Sequence, residues 1–374
     1  MSRTGRGRHF WPGAALFAGA VILAGATLLA GDQNSPRVAT LEQAGWAAIK
    51  AGKGPAATEA FREAIKLDPK NASLRLGAGT AEFLQRHDQE AKALLEQALD
   101  LDPQLTRARA QLAQVFKRQG DLQEAIRLYV IVATEAPDDT EMRGTLERWK
   151  RERDLHERMR LEVGDHFTVS FEGAEDAAMA AQAIDSLNRA FWRITEVFGA
   201  FPSKSIPVVL YSGEQFRDIT RSPKWAAAAF DGTIRVPMRG AGDKAADLDR
   251  VLAHEFSHAL LRSLATRGLP TWLNEGLASV LESDSLDWAA KTMRQATRTP
   301  SLTTLAAPFG KLSGADAQVA YAASALAARR LLDEAGSGAV ANLLRDLGDG
   351  VEFEEAFLHR IQKSLADFEA TLAQ

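Results

Sequence analysis

The sequence predicts a multidomain protein in which an all-α solenoid of helical repeats is followed by an α+β domain, with an apolar helix at the N-terminus. Three observations lead to this fold class. Arginines precede an uncharged apolar stretch at the start of the chain, and small and aromatic residues then recur at intervals of 34 positions. The remaining part combines strand-like alternation with a His-Glu-x-x-His motif.

The length and composition fit a chain with several folded units. At 374 residues, with 46% hydrophobic and 25% charged residues, there is room for two or three globular domains. We expect an N-terminal segment over residues 1–36, repeats over 37–140, a charged helical linker over 141–160 and the α+β domain over 161–374. The net charge of −4 predicts no nucleic-acid partner, and the absence of cysteine excludes disulfides and thiolate metal ligands.

The N-terminal segment predicts export from the cytoplasm. Arg3, Arg6 and Arg8 precede an uncharged run over residues 10–31 that is rich in alanine, leucine and glycine. A basic start before an apolar run is typical of a secretion signal, and about 20 apolar residues also suffice to span a bilayer. The basic end should stay in the cytoplasm. We therefore expect a bacterial inner-membrane protein with periplasmic domains, or a periplasmic protein if the segment is cleaved. The missing Ala-x-Ala site favours a retained anchor.

An internal repeat of 34 residues extends over residues 38–139. The positions that recur are Pro69, Pro103 and Pro137; Ala57, Ala91 and Ala125; Phe61, Leu95 and Tyr129; and Gly45, Gly79 and Ala113. This period, with small residues at helix crossings and proline at the end of each unit, resembles tetratricopeptide repeats. Such units are pairs of antiparallel helices that stack on one another, and their inner surface commonly binds a peptide or a partner protein. A purely structural spacer is the alternative.

The segment after the repeats predicts a linker and then a sheet. Residues 147–154 are dense in both charge signs, which predicts a solvated connecting helix. Residues 166–171 and 206–211 have the pattern of strands and flank a long alanine-rich helix. Residues 233–236 predict a further strand, closed by a proline that suits a sheet edge. We expect this edge strand to pair with an extended substrate backbone.

Residues 254–258 read His-Glu-Phe-Ser-His, which predicts a metal site. Residues four apart lie on the same face of a helix, so His254 and His258 can direct ring nitrogens at one ion. Glu255 lies about 100° around the helix, where it can reach a metal-bound water but is poorly placed as a ligand. Catalytic zinc usually has three protein ligands and one open position, so one carboxylate would complete the set. A solvated helix face is the alternative.

Glu275 is the candidate for the third ligand. Gly268 and Pro270 indicate the end of the first helix and the approach to a second, which Thr271 could cap. A helix, a short turn and a returning helix would bring Glu275 beside the histidines. An ordinary carboxylate near a helix N-terminus is the other interpretation of Glu275.

Taken together, these motifs resemble the gluzincin metallopeptidases, specifically the peptidase MA-like domain often found beside tetratricopeptide repeats. The resemblance rests on residues 254–258, 269–278 and 320–324 and covers roughly residues 160–374. It implies a zincin-like fold with Zn²⁺ bound by His254, His258 and Glu275, and with Glu255 as the general base. It also suggests that Tyr321 stabilises the oxyanion, although a tyrosine at the start of an alanine-rich helix is more often a packing residue.

The sequence therefore predicts a zinc metallopeptidase that hydrolyses peptide bonds of a protein substrate outside the cytoplasm. The repeats would recruit the substrate or a partner protein, and the N-terminal segment would contact the inner membrane. The alternative is a non-catalytic adaptor or chaperone-like protein, which uses its repeats and keeps the protease fold as a scaffold.

Overall fold

The computed structural model describes residues 35–51, 53–135, 137–173, 177–202, 204–220, 229–237 and 245–372. These residues form a helical repeat solenoid followed by a mostly helical C-terminal domain. The signal or anchor expected within residues 1–36 lies outside them, apart from its last two positions. Over the described ranges, no helix has both the length and the apolar character needed to cross a membrane.

The solenoid consists of three pairs of antiparallel helices, one pair for each 34-residue unit. Its helices are α1 (Ser35–Lys50), α2 (Gly54–Leu67), α3 (Ala72–Leu84), α4 (Asp88–Leu101), α5 (Thr106–Gln119) and α6 (Leu122–Glu135). The first helices of successive pairs contact one another, α1 with α3 and α3 with α5. They therefore form one continuous inner surface, as expected for stacked repeats.

The recurring small and large residues meet where the two helices of a pair cross. A Cβ atom at Gly45 would lie 2.6 Å from the Phe61 ring, and one at Gly79 would lie 2.8 Å from Leu95 Cγ. Both Phe61 and Leu95 are fully buried. The spacing of these residues in the sequence thus reflects a packing rule, because glycine in one helix makes room for the large side chain of its neighbour.

Helix α7 (Thr140–His156) joins the solenoid to the C-terminal domain. Asp139 caps it by accepting hydrogen bonds from two backbone N–H groups. The expectation of a solvated linker helix is wrong for one face, since four residues at intervals of three are buried: Leu146, Trp149, Glu152 and Leu155. Charged residues on the rest of the helix surround these four positions, so the buried face is not evident from the sequence.

The C-terminal domain contains a five-stranded sheet with the order β1-β2-β3-β5-β4. Its strands are β1 (Arg160–Val163), β2 (Phe167–Phe171), β3 (Ile206–Tyr211), β4 (Ala229–Phe230) and β5 (Ile234–Pro237). The central strands β2, β3 and β5 are parallel, whereas β1 and β4 are antiparallel to their neighbours. The expected edge strand at 233–236 is therefore wrong. A tight turn at Gly232, which has φ of 120°, folds β4 back along β5 and covers its outer side.

Helices cover both faces of the sheet and continue beyond it. They are α8 (Ala177–Phe198), α9 (Gly213–Thr220), α10 (Ala245–Leu264), α11 (Thr271–Glu282), α12 (Asp287–Gln295), α13 (Gly314–Gly348), α14 (Phe353–Ile361) and α15 (Leu365–Thr371). α8 and α10 pack together on one face of the sheet in the main hydrophobic core. α7 and α9 cover the other face in a smaller cluster around Phe216 and Tyr211.

A buried polar network connects the solenoid, α7 and the sheet. The Glu152 carboxylate, 2% exposed, accepts hydrogen bonds from Lys117 at 2.9 Å and is paired with the Arg235 guanidinium at 3.0 Å. Arg235 also donates to the Tyr211 hydroxyl at 2.6 Å, which lies 2.9 Å from His156 Nε2. Burial lowers the pKa of His156, so its ring is neutral near pH 7. One carboxylate thus connects α5, α7 and β5.

Helix α11 approaches α13 more closely than any side chain would permit. A Cβ atom at Gly276 would lie 2.2 Å from the backbone oxygen of Ser324 and 2.9 Å from the Ala328 Cβ. The obstacle is backbone rather than the end of a flexible side chain. Glycine at this position therefore fixes the separation of the two helices.

Replacing Glu152 with alanine should destabilise the protein by about 3 kcal/mol, because Lys117 and Arg235 both lose this buried carboxylate and Arg235 is left with Asp231 alone among the described carboxylates. Urea unfolding measures this loss. Glu147→Ala is the matched control, since Glu147 lies on the same helix in an exposed pair with Lys150. The control should change the free energy of unfolding by less than about 0.5 kcal/mol. Equal effects of the two substitutions would contradict the role of the network.

Gly276→Ala should lower the free energy of unfolding by about 3 kcal/mol, because the added methyl group meets the backbone of α13. Gly338→Ala is the control within α13, where a Cβ meets no atom within 4 Å. Gly338 lies two residues after a break in α13 at Gly336, so alanine there should leave the free energy of unfolding unchanged or raise it by up to about 1 kcal/mol. Denaturant titrations of both variants test the sign of each effect, and a neutral Gly276→Ala would disprove the close approach.

Candidate metal centre

Two helices and a short connection bring the predicted ligands together. His254, Glu255 and His258 lie on α10, and Glu275 lies in the first turns of α11. Gly268 takes a left-handed conformation, with φ of 70°, in the connection between them. Thr271 is the first helical residue and does not cap α11, because the N-cap position is occupied by Pro270. The predicted helix–turn–helix arrangement is otherwise present.

The three proposed ligands converge on one point. The Nε2 atoms of His254 and His258 are 3.2 Å apart, and Glu275 Oε2 lies 3.6 Å from the first and 3.4 Å from the second. A tetrahedral zinc with ligand distances of about 2.0–2.1 Å needs ligand atoms about 3.3–3.4 Å apart. The donor set and its spacing therefore fit zinc. Among the described residues, these three are the one group of at least three histidine, cysteine or acidic side chains that is close enough together to hold a metal ion.

Two further residues of α11 orient the imidazole rings. Glu282 Oε2 lies 2.6 Å from His254 Nδ1, and Asn274 Oδ1 lies 3.2 Å from His258 Nδ1. Donation of each Nδ1–H to these oxygens leaves each Nε2 lone pair directed at the common point. Arg250 donates to the other Glu282 oxygen at 3.0 Å and holds that carboxylate in place. Neither Asn274 nor Glu282 was predicted from the sequence as part of the centre.

The electrostatics of this cluster favour positive charge at its centre. Burial would lower the pKa of His254, but its hydrogen bonds with Glu275 and Glu282 outweigh burial and raise the pKa to about 10. The pKa of His258 is raised by Glu275 against the same opposing effect of burial. The pKa of Glu275 is lowered by the two histidines, although burial opposes this. Three carboxylates, including Glu255, thus surround two imidazoles, and this charge balance suits a divalent cation.

Glu255 is placed differently from the three ligands. Its side chain is buried, and burial raises the pKa of its carboxyl. It lies one residue, or about 100°, around the helix from His254, and its carboxylate is not among the ligand atoms that converge. A buried carboxylate with a raised pKa beside a charged centre is suited to accepting a proton.

Tyr321 lies on α13 at the edge of the same site. Burial raises the pKa of its hydroxyl, and the negative charges of Glu275 and Glu255 add to that effect. Its ring also packs edge-on against Phe309, with 5.3 Å between ring centroids. The residue therefore has a packing contact and lies within electrostatic reach of the centre, so both interpretations from the sequence remain open.

An open cleft of about 500 Å³ lies beside the centre, between α10, α11, α12 and α13. Its lining consists of Arg250, His254, Ser279, Glu282, Ser283, Trp288, Gln318 and Tyr321. A ligand in this cleft would contact His254 directly. The cleft is large enough to hold part of an extended peptide.

Three solved structures are similar to about a third of this chain. The first TPR domain of Spaghetti (RPAP3), bound to an HSP90 peptide, is 22% identical and covers 32% of this chain and 98% of its own, with a TM-score of 0.31. The second TPR domain of human RPAP3, in complex with an HSP70 peptide, is 24% identical, with coverages of 31% and 97% and a TM-score of 0.30. The N-terminal domain of STI-1 from C. elegans is 19% identical, with coverages of 32% and 99% and a TM-score of 0.29.

Two family models match the chain, one in the repeats and one in the C-terminal domain. No curated protein matches it. The model described as Tetratricopeptide repeat matches residues 89–148, and the model described as Peptidase MA superfamily matches residues 186–369. The second range includes all the residues of the candidate metal centre. The architecture expected from the sequence is confirmed: this chain carries a Peptidase MA superfamily domain that follows tetratricopeptide repeats.

Proposed function

We propose that the chain is a zinc-dependent metallopeptidase of the gluzincin type that hydrolyses peptide bonds of a protein substrate. The observation that carries this proposal is that the ligand atoms of His254, His258 and Glu275 lie 3.2–3.6 Å apart, close to the separation of ligand atoms around a tetrahedral zinc. The α+β fold around α10 and α11 is, in this proposal, zincin-like. An open cleft that His254 and Tyr321 line lies beside the centre, where a substrate could bind.

In this proposal, each residue of the centre has a distinct role. His254, His258 and Glu275 hold the zinc, while Glu282 and Asn274 orient the two imidazole rings. Bound zinc supplies Lewis acidity and lowers the pKa of water at the site. Glu255 accepts a proton from the attacking water and passes it to the leaving amine, which its raised pKa favours.

Tyr321 is assigned to the oxyanion in the same scheme. Its raised pKa keeps the hydroxyl protonated at neutral pH, so that it can donate a hydrogen bond. It lines the cleft that also contains His254. The contact with Phe309 holds the ring in one orientation, which a positioned donor requires.

The repeats are assigned to a protein or peptide partner, which is either the substrate or a protein that delivers it. Aromatic and cationic side chains lie together on the helices α1, α3 and α5. The exposed Arg107 lies over the Trp46 ring at 5.4 Å, whereas Arg118, over the Phe83 ring at 3.5 Å, is largely buried and already paired with Asp88. Arginine and aromatic residues are enriched where proteins bind one another.

We also propose that the catalytic domain works outside the cytoplasm, on the periplasmic side of a bacterial inner membrane. This assignment rests on the sequence of residues 1–36 alone, with its three arginines before an apolar run.

Metal content and hydrolysis of unfolded protein should separate the peptidase from the adaptor. Glu255→Gln should keep stoichiometric zinc and lose about 10²–10⁴-fold in kcat, because the base is removed while the ligands stay. His254→Ala should lose both zinc and activity. Metal analysis measures the zinc content of each variant, and an assay of peptide-bond hydrolysis measures its activity. Wild-type protein that holds zinc but is as inert as Glu255→Gln would disprove the peptidase and favour the adaptor.

Glu282→Gln should weaken zinc binding by about 10–100-fold, because His254 loses the charged acceptor that orients its ring. A competition titration with a zinc chelator measures the affinity. Asp249→Asn is the control, since it removes the same charge from the neighbouring helix α10, where Asp249 pairs with Arg189 at the surface. The assigned role of Glu282 fails if the two variants bind zinc equally well.

A further inference from the structure

The outer strand β1 exposes its apolar side chains to solvent. Leu161 is 61% exposed and Val163 is 72% exposed, the two highest values among the large hydrophobic residues that the structure describes. Isolated exposed apolar residues are common on protein surfaces. Two on one short edge strand are different, because such a strand can pair with another chain.

The register of β1 with β2 shows that the charged and apolar side chains of β1 lie on the opposite faces from those expected of an edge strand. Arg160 is paired with Phe171 and Glu162 with Val169, so both charged residues lie on the face that α8 covers. Leu161 is paired with Ser170, so Leu161 and Val163 lie on the opposite face. A strand at the edge of a sheet normally directs its apolar residues to the core and its charges to solvent. The core of this domain therefore does not explain the composition of β1.

The free edge of β1 also has unpaired backbone N–H and C=O groups that could bond to another strand. The Gly164 N–H donates to the Phe167 oxygen at 2.8 Å, across the turn between β1 and β2. Because hydrogen-bonding direction alternates along an antiparallel strand, residues 160 and 162 bond to β2, and Leu161 and Val163 direct their N–H and C=O groups outward. Within the described part of the chain, no other strand pairs with this edge.

We propose that β1 pairs antiparallel with β1 of a second copy of this chain, with Leu161 opposite Leu161 about a two-fold axis. In this register the outward backbone groups of the two strands bond to each other. Arg160 of each copy lies opposite Glu162 of the other, and neither residue forms an ion pair with another described residue. Met159, Leu161 and Val163 of both copies form one apolar stripe on the other face.

The alternatives to this register are less favourable. A shift by one residue places apolar side chains opposite charged ones, because side chains alternate between the two faces. A shift that centres the axis on Glu162 brings two carboxylates directly opposite each other. Of the registers compared, only the one centred on Leu161 places Arg160 and Glu162 opposite a residue of the other charge. The pairing is small compared with the roughly 1,000 Å² of a stable interface, so the dimer should be weak and dependent on concentration.

Cross-linking tests this pairing directly, because the chain has no cysteine of its own. In the full-length protein, Leu161→Cys should form a disulfide-linked dimer under mild oxidation, since paired Cα atoms about 5.5 Å apart allow a disulfide. Val163→Cys is the control and is more exposed. Its two copies would lie about 13 Å apart along the strands, too far for a disulfide. Leu161→Cys should therefore give about ten-fold more dimer than Val163→Cys.

Charge reversal tests the register independently. In the Leu161→Cys background, Arg160→Glu should reduce dimer formation about five-fold, and adding Glu162→Arg should restore it. Equal cross-linking at positions 161 and 163 would show random collision and would overturn the proposal. So would a Leu161→Cys protein that stays monomeric, whether its thiol reacts freely with a small reagent or is covered by another part of the chain.

Discussion

The close approach of α11 to α13 at Gly276 is the contact on which the candidate centre depends. Glu275, the third ligand, precedes this glycine, and Tyr321 lies one turn before the Ser324 carbonyl that the glycine faces. The separation of the two helices therefore sets the distance of Tyr321 from the ligands. Asn274 and Glu282 lie on α11 as well, so one packing contact positions a ligand and the residues that orient the other two. Precise positioning of such groups requires a rigid support.

The sheet provides the second support, and it is shared with the repeats. Arg235 on β5 is paired with Glu152, which also binds Lys117 of the solenoid. α10, the helix with both histidines, packs against β4 and β5. A displacement of the repeats would therefore have to break the Lys117–Glu152 pair, whose carboxylate also holds Arg235 on the strand that supports α10. Buried pairs are costly to separate because each charge is then left without compensation.

The parts of the fold that the sequence predicted are those determined by local periodicity. The repeats follow from a 34-residue period, and the two histidines follow from the geometry of a single helix turn. Asn274 and Glu282 were missed because their role depends on how α10 and α11 cross, which no spacing within one helix encodes. The linker prediction failed at Glu152 for the same reason, since its charge is compensated by residues distant in sequence, Lys117 and Arg235. The predicted edge at 233–236 failed because a two-residue strand, too short to recognise, returns along β5.

The order of the strands determines which edge of the sheet can serve which purpose. β4, the edge beside α10, lies nearest the candidate centre, whereas β1 lies at the opposite edge. Four strand spacings of about 4.8 Å separate them, or roughly 19 Å. A second copy bound along β1 would therefore leave β4 and the cleft beside His254 open to a substrate. Each edge also differs in chemistry, since β1 has a self-complementary pair of charges and β4 has none. The proposed association and the proposed catalysis would thus use different edges of the same sheet.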